Sequence, residues 1–106
     1  MAKAIRNNFY IGLNDKDTKK QEISSEKALE IIENVFDTFS EYGATIYDCK
    51  GLYKHTNGYK VRENTIGAFT IDLDKETIKQ ICKVLKETLN QESILVVNEH
   101  VDVEFM

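Results

Sequence analysis

The sequence predicts an α+β protein in which two helices cover one face of a four-stranded antiparallel sheet. Three observations predict this class: two segments with apolar residues at helical spacing, an Asn-Gly pair between two long runs of strand-forming residues, and short branched or aromatic runs towards both ends. The length of 106 residues suits one domain, and 42% hydrophobic residues is ordinary for a globular protein. We therefore expect a single domain over residues 1–106.

The first strand and the first helix follow from local patterns. Residues 8–13, N-F-Y-I-G-L, predict a strand, and the polar residues 14–22 predict a loop. Ser24 or Ser25 can cap a helix, because either hydroxyl can accept a hydrogen bond from the first turn. The apolar stripe of this helix has the spacing i, i+3, i+4, i+7, i+8, i+11 and consists of Ala28, Ile31, Ile32, Val35, Phe36 and Phe39. Gly43, which tolerates a left-handed backbone, is expected to end it.

A long hairpin is predicted next. Asn57-Gly58 favours a two-residue turn, because both residues accept positive φ. Pairing outward from that turn places Tyr53 opposite Arg62. The arms cover residues 44–54 and 59–71, which is longer than the usual ~5–6 residues, so the tip should project beyond the helices.

The second helix and the last strand complete the fold. Asp74 caps the helix, whose inner stripe consists of Ile78, Ile81, Cys82, Leu85 and Leu89. Residues 93–97, S-I-L-V-V, predict a strand, and the alternation over residues 101–105 predicts its continuation or a separate short strand. The order β-α-β-β-α-β is that of the ferredoxin-like split β-α-β fold.

The sheet face away from the helices has no cover of its own. We expect it to carry an apolar set, namely Tyr10, Tyr47, Cys49, Ile66 and Ala68. An antiparallel sheet with one solvated face usually has polar residues there. The sequence therefore predicts a homo-oligomer, a dimer or larger, in which a second copy covers this face. The alternative is a monomer with scattered apolar surface residues.

Positive charge is concentrated in one segment of an acidic chain. Residues 50–62 contain four basic residues, one histidine and two tyrosines but no acid, whereas the whole chain has a net charge of -4. The remainder has 10 basic against 18 acidic residues. Such a body would repel a phosphate backbone, which argues against nucleic-acid binding and favours a small anion as the partner of the basic segment.

The basic segment predicts a ligand site near the hairpin. The planar fork of Arg62 suits phosphate or carboxylate, and a facing Tyr53 offers a ring for stacking, so the pair suits a nucleotide-like molecule. The predicted ligand-binding residues are Lys50, Tyr53, His55, Lys60, Arg62, Glu63 and Asn64. The alternative is that the lysines only protect an exposed strand edge from pairing with other chains.

Short motifs spread along the chain resemble a family of small bacterial proteins of unknown function. They are F-Y-I-G-L, T-I-Y-D-C-K-G-L-Y, R-E-N-T and Q-E-S-I-L-V-V, and they span Phe9 to Phe105. The resemblance implies a ferredoxin-like fold with a Gly-aromatic pattern in the second strand, a glutamate in the third and a Gln-Glu-Ser run that opens the last. Here Leu52-Tyr53 stands where a tryptophan is more usual. No reaction is implied, because none is established for the family.

Signatures of catalysis and of cofactor binding are missing from the sequence. There is no G-x-x-x-x-G-K-[ST], G-x-G-x-x-G or H-E-x-x-H motif. Cys49 and His55 would lie roughly 20 Å apart along a strand, too far for a nucleophile pair unless two chains meet across a dimer. The two cysteines and two histidines lack zinc-site spacing. We therefore predict no catalytic residue, no metal and no cofactor.

The same composition bears on location. No apolar run approaches the ~20 residues of a membrane helix, and the N-terminal residues do not resemble a secretory signal. Two cysteines do not make a disulfide framework, which favours a cytoplasmic protein without a membrane partner.

The sequence thus supports a non-enzymatic, oligomeric protein that binds or sequesters a small anionic ligand, such as a signalling nucleotide. A phage or mobile-element antagonist of host defence signalling would act in this way. One alternative is a protein–protein inhibitor or adaptor that uses the exposed sheet face or the acidic helices. Another is an enzyme whose site forms only between subunits.

Overall fold

The computed structural model describes residues 2–54 and 58–106, and its six elements follow the predicted order. They are β1 (Ala2–Gly12), α1 (Ser25–Phe39), β2 (Thr45–Lys54), β3 (Lys60–Ile71), α2 (Lys75–Thr88) and β4 (Leu95–Val103). The strands form one antiparallel sheet in the order β2-β3-β1-β4. The predicted ferredoxin-like arrangement is confirmed.

The two strands at the chain ends are longer than the sequence predicted. β1 begins at Ala2 rather than at residue 8, and β4 continues to Val103. Ala2 pairs with Val103, so each strand end supplies the backbone partner that the other needs. The alternation near the C-terminal end is therefore a continuation of β4 and not a separate strand.

Both helices begin at the predicted caps. The Ser24 hydroxyl accepts a hydrogen bond from the Lys27 N–H at 3.1 Å, and the Asp74 carboxylate accepts one from the Thr77 N–H at 2.8 Å. Each bond satisfies an amide that has no partner within its own helix. None of the helices in the described ranges is long and apolar enough to cross a membrane.

The core lies between the helices and one face of the sheet. Phe9 and Ile11 of β1 are fully buried in it, and the Phe9 ring meets the Phe36 ring of α1 edge to face, with 5.0 Å between ring centroids. Ile32 and Ile81 bring the inner stripes of the two helices into the same cluster. The helical stripes predicted from the sequence are therefore the faces that pack on the sheet.

The hairpin register differs by one residue from the predicted one. Tyr53 pairs with Val61, and Arg62 pairs with Leu52. The last pair among the described residues is Lys54 with Lys60. The predicted turn residue Asn57 lies outside the described residues. Because side chains alternate between the two faces of a strand, Tyr53 and Arg62 lie on opposite faces of the sheet.

Burial of the third strand accounts for this register. Ile66 and Ala68, which the sequence assigned to the uncovered face, lie in the core with exposed fractions of 1% and 0%. They pair with Ile11 and Phe9, the two core residues of β1. Burying one large aliphatic side chain is worth roughly 1.5–3 kcal/mol, and a slip of one residue would turn this set to solvent. Core packing therefore fixes which face of β3 points inward.

Candidate functional site

The sheet face away from the helices is defined by the strand register. Since Phe9 and Ile11 point into the core, Tyr10 and Gly12 point to the other side, which we call the open face. The pairing then assigns the following residues to the open face: Ala2, Ala4, Arg6, Asn8, Tyr10, Gly12, Thr45, Tyr47, Cys49, Gly51, Tyr53, Val61, Glu63, Thr65, Gly67, Phe69, Ile71, Leu95, Val97, Glu99, Val101 and Val103.

Tyrosine rings cover glycines on this face. A Cβ on Gly67 would lie 2.5 Å from Cζ of Tyr47, and a Cβ on Gly51 would lie 2.9 Å from Cζ of Tyr53. The glycines thus let the rings approach the backbone. Burial raises the pKa of the Tyr47 hydroxyl, and a hydrogen bond with Tyr10 raises it further. The result is a neutral aromatic surface across the middle of the sheet.

A carboxylate takes the corresponding place over Gly12. A Cβ on Gly12 would lie 2.6 Å from Cδ and 2.8 Å from Oε2 of Glu63, so only glycine leaves room for this carboxylate. Oε2 of Glu63 accepts a hydrogen bond from the Asn14 N–H at 2.9 Å. Glu63 is half-buried on the third strand, and the bond ties it to the loop that follows β1. Its carboxylate therefore has a defined position at this end of the sheet.

The turn between α2 and β4 also reaches this loop. The Gln91 side chain is buried, and its Nε2 donates to the Asn14 carbonyl oxygen at 2.7 Å and to the Leu89 carbonyl oxygen at 3.3 Å. Glu92 and Ser93 follow it in the chain and are exposed. Gln91 thus connects the start of β4 to the residue that holds Glu63.

A cavity of about 240 Å³ lies where these segments meet. Its walls contain two tyrosines, three acidic residues and three lysines together with small and amide residues. The lining residues are Tyr10, Gly12, Asn14, Asp15, Lys16, Lys19, Tyr53, Lys54, Glu63, Gln91, Glu92, Ser93 and Leu95. We call this cavity the end pocket. Its lining combines aromatic surface with nearly balanced charge, which suits a small ligand that has a flat ring and charges of both signs.

The acidic groups of the end pocket differ in their roles. Asp15 has its oxygens engaged by Asn90 and by the backbone amides of Thr18 and Asp17, and these hydrogen bonds lower its pKa from the ordinary value of 3.8. It therefore serves to fold the loop. In the described ranges no three His, Cys, Asp or Glu side chains group together as a metal site.

The structure separates the predicted ligand-binding residues into two sets. Tyr53 and Glu63 line the end pocket on the open face. The others with a described position belong to the opposite side of the hairpin, where the register places them: Lys50, Lys60, Arg62 and Asn64. There the Lys50 ammonium donates to the Asn64 side chain, which in turn donates to Gln21 at 2.7 Å. His55 lies outside the described residues.

The predicted interface residues are also separated. Tyr10, Tyr47 and Cys49 lie on the open face, whereas Ile66 and Ala68 belong to the core. Burial raises the pKa of the Cys49 thiol from its ordinary value of 9.0. Because the thiolate is the reactive form, this cysteine is a poor nucleophile.

Sequence reasoning missed the roles of Gly12 and Gln91. Each belongs to a short motif that the resemblance had marked, F-Y-I-G-L and Q-E-S respectively, and R-E-N-T supplies Glu63. The motifs carry no chemistry separately, but the fold brings all three to the end pocket. What links these residues is their proximity in the folded structure, which the sequence does not show.

Comparisons with known proteins support this fold. A phage SAM lyase solved in complex with S-methyl-5'-thioadenosine is 23% identical, with a TM-score of 0.69, and the match covers 91% of this chain and 80% of that one. CutA from Synechococcus elongatus PCC7942 is 9% identical with a TM-score of 0.57, covering 93% and 77%. CutA1 from Pyrococcus horikoshii OT3 is 12% identical with a TM-score of 0.58, covering 95% and 86%. At these identities the likeness concerns the fold alone.

Sequence comparison gives the family. The search of curated proteins finds no match. A family model described as "Protein of unknown function (DUF3574)" matches residues 6–105, which is nearly the whole chain. The expected membership in a family of unknown function is therefore confirmed, and the chain belongs to the DUF3574 family.

Proposed function

We propose that this protein binds a small nucleoside with a positively charged sulfonium, of the S-adenosylmethionine class, in the end pocket. The observation that carries the proposal is the Glu63 carboxylate, which is fixed in a cavity that also contains the Tyr10 and Tyr53 side chains. Carboxylates and aromatic faces both attract cations, and an aromatic face also stacks with a purine. One cavity thus offers a partner to each part of such a ligand.

The hydrogen bonding of Glu63 leaves it able to contact a ligand. Its Oε2 is engaged by the Asn14 N–H, and among residues 2–54 and 58–106 no donor is bonded to Oε1. A carboxylate without a cation beside it attracts positive charge most strongly where water is partly excluded. Glu63 is half-buried, so a sulfonium at this position would gain more than it would at an exposed acid.

The charge of the remaining lining suits an amino-acid tail. Glu92 offers a second carboxylate, while Lys16 and Lys54 offer ammonium groups. S-adenosylmethionine carries a sulfonium, an ammonium and a carboxylate, so it presents both signs to a lining that holds both signs. The hypothesis of a purely anionic ligand depended on Arg62 beside Tyr53, and those residues lie on opposite faces. A ligand with positive charge is therefore the better fit for the end pocket.

The likeness to a phage SAM lyase bound to S-methyl-5'-thioadenosine supports the choice of ligand class. That structure covers most of this chain, and its name and its bound molecule both belong to the same adenosyl-sulfur chemistry. Together with the pocket chemistry, this likeness favours sulfonium nucleosides over phosphorylated nucleotides.

A second candidate function is cleavage of the bound sulfonium. The favouring observation is that a held carboxylate and two phenols line the same cavity, where one group could move a proton and the others could stabilise charge. In this step a water oxygen would attack the amino-acid carbon bonded to sulfur and give its proton to the carboxylate. The new C–O bond forms as the C–S bond breaks, and the electron pair of the C–S bond stays on sulfur, so the products are an amino acid with a hydroxyl group and a neutral thioether. The sulfonium is already a good leaving group, so the absence of a catalytic motif from the sequence does not argue against this chemistry.

Calorimetry with matched ligands tests the binding proposal. S-adenosylmethionine and S-methyl-5'-thioadenosine share the nucleoside, but only the first is a sulfonium. We expect the wild type to prefer S-adenosylmethionine, and Glu63→Gln to lose about tenfold or more of that preference, because the change keeps the shape and removes the charge. Glu104→Gln, an exposed change outside the pocket lining, is the control. Binding only of phosphorylated nucleotides, abolished by Arg62→Ala, would contradict the proposal.

The fate of the ligand separates sequestration from cleavage. After incubation, the protein is denatured and the small molecules are separated by chromatography. Recovery of intact S-adenosylmethionine in proportion to protein supports sequestration. Conversion to S-methyl-5'-thioadenosine beyond one equivalent, lost in Glu63→Gln, supports cleavage.

We also propose that a second copy covers the open face. Leu95 and Val97 on this face are 53% and 40% exposed, and Tyr53 beside the pocket is 37% exposed. The end pocket of about 240 Å³ is smaller than the typical ~300–1,000 Å³ of a small-molecule site. A neighbouring subunit would bury the apolar residues and add the wall that one chain lacks. An inhibitor or adaptor that uses the same face is the competing interpretation.

Sedimentation velocity with two matched variants tests the assembly. Leu95→Lys places a charge on the open face, whereas Leu52→Lys changes an even more exposed leucine, at 66%, on the opposite side of the hairpin. We expect an oligomeric wild type that Leu95→Lys converts to monomers and Leu52→Lys leaves intact. A monomeric wild type, or equal behaviour of both variants, would argue against a second copy on this face.

A further inference from the structure

We infer that Gln91 is a positioning residue that sets the orientation of the Glu63 carboxylate through the backbone of Asn14. The ligand readout of this inference rests on the proposed function, but its structural readout does not. Gln91 lies in the turn between α2 and β4 and is 9% exposed. A buried side-chain amide needs hydrogen-bond partners, and both acceptors of its Nε2 are backbone carbonyls.

The two hydrogen bonds on Asn14 form a relay. Its carbonyl oxygen accepts from Gln91 Nε2 at 2.7 Å, while its N–H donates to Glu63 Oε2 at 2.9 Å. Both bonds are made by the backbone of Asn14. Gln91 therefore fixes the same residue that holds the Glu63 carboxylate. Rotation of the Asn14 backbone would move the donor away from Glu63.

Gly12 completes this arrangement from the other side. The carboxylate occupies the space in which a Cβ on Gly12 would lie. Glu63 is therefore confined between the backbone of β1 and the Asn14 N–H. Such a doubly constrained group needs no rearrangement when a cation arrives, and this lowers the cost of binding.

Other hydrogen bonds also hold this loop, so anchoring the loop does not by itself explain the position of Gln91. Asn14 forms a bridge with Gln21, and the Asp15 N–H donates to the Lys20 carbonyl oxygen at 2.8 Å. The Asn90 side chain donates to Asp15 at 2.9 Å, which ties the same loop to the α2–β4 turn. These bonds hold the course of the loop. The bond from Gln91, in contrast, is made to the carbonyl oxygen of Asn14, the residue whose N–H contacts Glu63.

The test combines Gln91→Leu with a ligand-free readout. Gln91→Leu keeps a side chain of similar size and removes both donors, and Gln80→Leu changes an exposed glutamine of α2 as the matched control. The amide proton of Asn14 is followed by NMR through its chemical shift and hydrogen exchange, with Glu63→Ala as the reference for a broken bond. We expect Gln91→Leu to shift and deprotect this amide at least half as far as Glu63→Ala does, and Gln80→Leu to leave it unchanged.

Affinity provides the second readout. In Gln91→Leu we expect about a tenfold loss for S-adenosylmethionine with a smaller change for S-methyl-5'-thioadenosine, because a charge-assisted contact is misaligned. If the wild type binds neither, the proposed function fails, and the Asn14 amide alone still decides the inference. An unchanged Asn14 amide in a folded Gln91→Leu protein would overturn it. Gln91→Glu, which keeps the length but removes the N–H donors at neutral pH, decides by the same amide if the leucine variant does not fold.

Discussion

Replacing Gly12 by alanine adds a single methyl group at the point where the Glu63 carboxylate crosses β1. The new Cβ would lie 2.6 Å from Glu63 Cδ and closer still to Oε1, and ordinary contact begins at 3.4 Å, so the carboxylate must move by at least about 0.8 Å. The φ of Gly12 is not in the left-handed region, so alanine fits the backbone itself. The main effect of Gly12→Ala is therefore to displace the Glu63 carboxylate.

The size of the effect follows from the bond that is lost. The hydrogen bond from Asn14 to Glu63 is 2.9 Å long, and an added displacement of this order takes it beyond the ~3.5 Å at which such a bond ends. A hydrogen bond to a charged group contributes roughly 1.5–3 kcal/mol to the stability of the fold. Alanine in a strand regains roughly 0.5–1 kcal/mol relative to glycine. We therefore expect a net destabilisation of only about 1–2 kcal/mol, which lowers Tm by roughly 5–15 °C.

Calorimetry and thermal melting of Gly12→Ala and Gly67→Ala provide the assay. In Gly67→Ala the new methyl meets the Tyr47 ring instead of a carboxylate. Overpacking of this kind costs typically ~1–3 kcal/mol, so the two variants should have similar melting temperatures. Only Gly12→Ala should lose S-adenosylmethionine affinity by tenfold or more. Equal affinities in the two variants would refute the view that Gly12 makes room for a carboxylate needed for binding.

Three further predictions follow from other parts of the molecule. Tyr53→Ala should weaken S-adenosylmethionine binding about tenfold in calorimetry, because an aromatic contact is lost, whereas Arg62→Ala should not weaken it. The opposite result would favour the ligand site around Arg62 that the sequence predicted. Hydrogen bonds from Thr77 lower the pKa of Asp74 from its ordinary 3.8, so its charge stabilises the folded state above that value. The deficit in Tm of Asp74→Ala should therefore be full at pH 7 and shrink as the pH falls below 3.8; a constant deficit would contradict this. Peptide mapping after thiol labelling should show Cys49 reacting more slowly in the folded than in the denatured protein; equal rates would show that burial does not protect it.

The helices could be predicted because their signals are local. Ser24 and Asp74 cap their helices through bonds that span only three residues, and the apolar stripes repeat within each helix. The order of six elements then restricts the topology to few choices. The full lengths of β1 and β4 were harder to predict, because their outer halves pair with each other and carry polar residues such as Lys3 and Asp102.

The end pocket could not be predicted in the same way. Asn14 lies 49 positions from Glu63 and 77 positions from Gln91, and no local pattern reports that these residues meet. Glu63 was among the predicted ligand residues, but as a neighbour of Arg62 and not as the partner of Gly12. Its role depends on the space left by a missing side chain, which is a property of the packed sheet.

The one-residue difference in register explains why the proposed ligand is positively charged, whereas the sequence alone predicted an anion. Residues 63–69 of β3 read E-N-T-I-G-A-F, and both odd and even positions carry apolar or small residues. The alternation of residue types therefore does not show which face of β3 points into the core. Pairing of Ile66 with Ile11 and of Ala68 with Phe9 makes that choice, and it sends Glu63 to the open face with Tyr53. In the alternative register the arginine would have taken that place, and an anion would have been the natural ligand. The positive charge of the proposed ligand therefore depends on core packing roughly 10 Å away along the strand, because that packing decides whether Glu63 or Arg62 faces the end pocket.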